Sequence, residues 1–141
     1  MRPERGGPDD PGEWLRRARS NLALARTGRT DRDVLDEDLC FEAQQAAEKA
    51  LKALLVAGQV PFPRTHDIAA LITLVQKGGR EIPDTVRAAA VLTQYATEAR
   101  YPAMSPGVTP DEHATAVRLA QAVVAWVEGI LGADRGSERP R

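Results

Sequence analysis

Apolar side chains recur at Trp14, Ala18, Leu22 and Ala25, steps of four and three that place them on one face of an α-helix. Asp10 supplies a cap, Pro11 fits the first helical position, Glu13 follows three residues after the cap, and Gly28 offers a stop. After the connector "RTDRD", the acidic run Asp36-Glu37-Asp38 suits the positive end of a helix dipole. Leu39, Ala43, Ala46, Ala50 and Leu54 then form a stripe that Ala47, Leu51 and Leu55 widen, predicting a central helix that touches two neighbours. Gly58 closes it, and the prolines of "VPFPR" cannot continue a helix.

A third helix is predicted from Asp67 to Lys77 on Ile68, Leu71, Leu74 and Val75, stopping at Gly78-Gly79. Asp84 can cap a fourth, with Val86, Ala89, Leu92 and Ala96 on one side and Pro102 setting its end; "AMSPGV" follows as a loop. The last opens on "TPDE", where Thr109 and Glu112 form a capping box around Pro110. Val117, Ala120, Val124, Val127 and Leu131 keep its helical spacing. No strand is predicted. The pattern describes an all-α fold, an antiparallel up-and-down bundle of four to five helices over residues 10–132. Residues 1–9 and 133–141, rich in Gly, Pro and charge, are expected to be disordered tails.

Composition narrows the function classes. A chain of 141 residues makes one domain, and the balance of 19 Lys+Arg against 20 Asp+Glu leaves no basic excess for nonspecific nucleic-acid binding. Few aromatics and many Ala, Leu and Val bury little area per residue, so the bundle gains from covering further surface in an oligomer. The single Cys40 cannot form an intrachain disulfide, and two histidines are too few for zinc, so no metal or other cofactor is expected and Cys40 reads as core. No stretch reaches the ~18–20 uninterrupted apolar residues of a membrane helix, and "MRPERGGPDDPGEW" lacks the apolar core of a signal peptide. A cytoplasmic protein without membrane contact is the expectation. Phosphate-loop, dinucleotide, nucleophile-elbow and zinc-protease motifs are all absent.

Three groups of residues could carry chemistry. Glu42, Gln45, Lys49 and Lys52 share a polar edge of the second helix, with Glu48 and Lys52 paired at i,i+4; this is either a solvated face or a ligand or partner surface. His66, between Thr65 and Asp67 at a helix start, either caps free amides or joins a helix N-terminus in contacting phosphate. Tyr95, Glu98, Arg100 and Tyr101 gather where the fourth helix must break. Arg100 there either satisfies the last carbonyls or presents a fork for phosphate beside a ring for stacking. His113, in the first turn of the last helix, is expected to face solvent.

The segment "FEAQQAAEKALKALLVAGQVPFPRTHDI", followed by "EARYP", resembles the HEPN family from Trp14 to about Leu131. The resemblance implies a homodimeric helical bundle with nucleotide or RNA as ligand, often paired with a minimal nucleotidyltransferase in a toxin–antitoxin-like system. On it, Arg100 contacts phosphate, Tyr101 or Tyr95 gives a stacking face, and His66 and Lys49 support them. One branch of the family comprises metal-independent ribonucleases with an Arg and a His a handful of residues apart. Here Arg100 and His113 have twelve residues between them, so a divergent ribonuclease built on that pair is the alternative to a binding module.

Overall fold

A computed structural model describes residues 8–28, 30–96 and 107–138, with side chains described as far as Gly132. Among the described residues five α-helices and one 3-10 helix make up the bundle, and no strand occurs. Asp10 caps α1 (Pro11–Arg26), accepting from the Gly12 amide at 2.9 Å. Glu13 is turned to Arg16 and Arg17. The acidic triplet opens α2 (Asp36–Ala57), and Asp67 caps α3 (Ile68–Lys77) through the Ala70 amide at 3.3 Å. The Thr109–Glu112 capping box is reciprocal, at 2.9 and 3.1 Å, and starts α5 (Pro110–Glu138). That helix continues through residues 133–138, beyond the point where composition predicts a tail.

The fourth element differs from expectation. It forms one α-helical turn, α4 (Asp84–Arg87), with Pro83 rather than Asp84 at the cap position, and then tightens into a 3-10 helix (Ala88–Ala96). Val86, Ala89, Leu92 and Tyr95 are buried and lie three apart, and positions three apart eclipse in a 3-10 helix. The tighter winding keeps all four on the core side, where an α-helix would rotate Tyr95 away.

Helix α2 is the axis of the molecule and packs against α1, α5, α3 and the 3-10 helix, two more elements than its stripe predicts. Ala43, Ala46, Ala47, Ala50 and Ala53 have no exposed surface, so neighbouring backbones approach closely, and Leu51 and Leu55 fill the remaining space. Its C-terminus is a Schellman turn, with Val60 N–H on Leu55 O at 2.8 Å and Gln59 N–H on Val56 O at 3.0 Å. Gln59 takes the left-handed position at φ 58°, where glycine is usual. This turn sends the chain into the connector of residues 58–67, back across the face of α2.

Residues Pro110–Gly132 of α5 are long and apolar enough to cross a membrane by length and composition, although Arg118 and Glu128 interrupt the apolar run. The structure gives this hydropathy a core use, since Ala116, Ala120, Val123, Val124, Val127 and Leu131 are buried in the core shared with α2.

Candidate functional site

Besides Asp36 at its first position, helix α2 carries three polar side chains into the interior, at positions that its own apolar stripe surrounds. Gln44 is fully buried, Glu48 is 3% exposed and Lys52 is 7% exposed, one helical turn apart each time. A buried charge needs partners, and Glu48 has them on both oxygens. Oε1 accepts from Gln44 Nε2 at 3.0 Å and from His66 Nδ1 at 2.9 Å, while Oε2 accepts from Lys52 Nζ at 2.8 Å. Gln44 also donates to the His66 carbonyl at 3.1 Å and accepts from Gln45 at 2.7 Å. Among the described residues, no buried side-chain nitrogen or oxygen lacks a partner. Burial pushes the Glu48 carboxyl up, but hydrogen bonds from Lys52, Gln44 and His66 outweigh it and hold the group below the usual carboxylate range.

His66 is the outer member of this cluster, with its side chain 63% exposed and one ring nitrogen fixed. Facing a carboxylate, Nδ1 carries the proton, which leaves Nε2 open to solvent. The α3 N-terminus beside it is filled by the chain itself. Thr93 Oγ1 takes the Ile68 amide at 3.0 Å, Asp67 takes the Ala70 amide, and Thr65 Oγ1 takes the Asp67 amide at 3.0 Å. A phosphate at this helix start finds these amides occupied.

On the other side of Glu48, Lys52 opens a second environment. Its ammonium lies 5.8 Å from the centre of the Trp14 ring and 5.6 Å from that of Phe62, and the two rings meet edge to face at 6.2 Å and 78°. Together with Arg64, Gln59 and Asp9 they line a groove of about 790 Å³. The Trp14 indole N–H is committed to the Pro8 carbonyl at 2.8 Å, fixing the ring. Pro61 and Pro63 stiffen the backbone on either side of Phe62. The volume falls within the ~300–1,000 Å³ range of small-molecule sites.

The residues singled out from sequence divide between places. His66 meets Glu48, whereas Lys49 turns to α1 and donates to Asn21 Oδ1 at 2.9 Å; Asn21 donates in turn to Glu42 at 2.7 Å. The polar edge of α2 is therefore not one solvated face: Lys52 goes inward, while Lys49 and Glu42 tie α2 to α1. Tyr95 is 7% exposed, within the core, with its hydroxyl against the Cys40 thiol. Burial, joined by the charges and dipoles of Cys40 and Glu112, pushes Tyr95 up to about 12. Burial does the same to Cys40, which also reaches about 12. Arg100 and Tyr101 lie outside the described residues. His113, expected to face solvent, is half-buried and donates from Nε2 to the Ala25 carbonyl at 2.8 Å, tying the start of α5 to the end of α1.

Sequence reasoning missed the groove. Trp14 reads as one more core position and Phe62 as part of a helix stop, and their meeting depends on the path of the connector. The available signal was an aromatic between two prolines followed by an arginine, a rigid, partly buried ring beside a cation.

The HEPN domain profile matches residues 12–130 of the chain. Among solved structures, TT1696 from Thermus thermophilus is 36% identical, with a TM-score of 0.71 over 84% of this chain and 96% of that one. ST0689, described as an archaeal HEPN homologue, is 25% identical, with a TM-score of 0.61 over 85% of this chain and 96% of its own. No curated protein matches the sequence.

Proposed function

Because the chain belongs to the HEPN domain family, we propose that it is a nucleotide-binding module whose ligand lies in the groove between α1, α2 and the connector. The groove itself carries this reading. It joins two fixed aromatic rings to an exposed arginine in a volume that suits a nucleotide. A base laid on one ring meets the other edge-on, since the rings stand at 78°. For Arg100 the family resemblance implies a phosphate contact and for Tyr101 a stacking face, and both roles belong to this proposal. Within the same proposal the protein is a cytoplasmic homodimer and works beside a minimal nucleotidyltransferase. The half-exposed edge of α5 at Leu119, Trp126 and Ile130 supports self-association.

The ribonuclease alternative asks for His113, whose Nε2 is held by the Ala25 carbonyl, so the binding module is favoured. Titration of the purified full chain with AMP, read by tryptophan fluorescence and calorimetry, tests the proposal. Saturable binding that falls at least about tenfold in Phe62→Ala is expected. No saturation with AMP or a short oligoribonucleotide would remove the function.

A further inference from the structure

The charges around the groove say how many phosphates it accepts. Lys52 is its deepest cation, but its charge is spent: Glu48 Oε2 sits 2.8 Å from the ammonium, and both side chains are almost wholly buried. Pulling Lys52 toward a ligand would strand a buried carboxylate, so its attraction for a further anion is small. Arg64 is different, being exposed at the groove and without an ion-pair partner among the described residues. Asp9, also exposed, brings a carboxylate to the same lining. Among the described residues the groove thus offers one available guanidinium, one opposing carboxylate and two rings.

We infer that the groove takes ligands with one phosphate per base, a nucleoside monophosphate or one unit of a single strand, and gains nothing from a di- or triphosphate chain. The inference rests on the nucleotide reading above and adds the ligand's charge class to it. Arg64 holds the phosphate in a bidentate grip while the base rests on Phe62 or Trp14. A second or third phosphate finds no further uncommitted cation in the described lining and meets Asp9. His66 does not line the groove, and the phosphate is held without it.

Full-length protein titrated with adenosine, AMP, ADP, ATP and a hexameric single-stranded oligoribonucleotide tests this, alongside Arg64→Ala and Arg64→Glu. Arg64 is exposed in a connector, so both variants should fold, and circular dichroism checks that they do. AMP is expected to bind about tenfold tighter than adenosine, with ADP and ATP no tighter than AMP. Arg64→Ala should bring AMP to the adenosine level without moving adenosine, and Arg64→Glu should weaken AMP further. A hexamer tighter than AMP assigns the site to a strand, and an equal or weaker one assigns it to a free mononucleotide. ATP binding tenfold tighter than AMP, or AMP binding indifferent to Arg64, overturns the inference and leaves the nucleotide reading standing. If no probe binds, that reading falls and takes this one with it.

Discussion

His66 Nδ1 lies 2.9 Å from Oε1 of Glu48, eighteen residues earlier in the chain, and joins an exposed ring in the connector to a carboxylate inside α2. The other oxygen of that carboxylate holds Lys52, a wall of the groove. One buried charge therefore organises both the turn that brings the connector home and the cation beneath the two rings. Its removal should be felt in stability before it is felt in binding.

Glu48→Ala is expected to cost about 3–5 kcal/mol, because it leaves the Lys52 ammonium buried without its counter-charge. Replacing both partners with apolar side chains of similar volume, Glu48→Leu with Lys52→Met, should recover most of the loss. Urea unfolding of Glu48→Leu, Lys52→Met and the double variant, alongside Glu48→Ala, measures this. A double variant as unstable as the sum of the singles would show that the pair does not act as a unit.

Acid should unfold the protein through the same carboxylate. The folded-state pKa of Glu48 lies below the ordinary value of 4.5, so its contribution is fully present above about that pH and is lost as pH falls through the folded pKa. The midpoint of urea unfolding, followed from pH 6 downward, is expected to drop in wild type. It should drop less steeply in Glu48→Gln, which starts lower but has no proton to gain.

Gln59 holds the left-handed position that ends α2, a conformation that costs a side-chain-bearing residue about 1 kcal/mol. Gln59→Gly should raise stability by roughly that amount despite the extra freedom glycine has when unfolded. Thermal unfolding reads it, and a lower midpoint would show that the Gln59 side chain repays the strain through its place in the groove wall.

Cys40 should be unreactive in the native state. Burial holds the thiol at about 12, so almost no thiolate exists at neutral pH. Iodoacetamide at pH 8 is expected to label the protein only in denaturant. Rapid labelling of the folded chain would contradict the packing of Cys40 against Tyr95.

What could be read from sequence was whatever a few adjacent residues decide. Asp10 with Pro11, and Thr109 with Glu112, announce helix starts because a cap depends only on its own first turn. The stripe from Leu39 to Leu54 predicted a central helix, although the number of its neighbours did not follow from it. The 3-10 winding after Arg87 was present in the three-residue spacing of Val86, Ala89, Leu92 and Tyr95, and was obscured by counting Ala96 in an α-helical face. Glu48 and Lys52 read as a surface pair because their spacing is that of any exposed i,i+4 pair. Only the returning connector, with Phe62 and His66, encloses them. Trp14 and Phe62 were hidden for the same reason, since a contact across two elements leaves no local trace.

The Gln44–Glu48–Lys52 column also bears on how the connector of residues 58–67 can come loose. Peeling it from α2 would take His66 from a buried carboxylate, uncover the Gln44 amide and strip Phe62 from Lys52, all at once. Exposed loops usually open with little cost and are nicked first by proteases. Here the segment after Pro61 should be cut at the rate at which the whole bundle unfolds, and the wall of the groove is as durable as the core behind it.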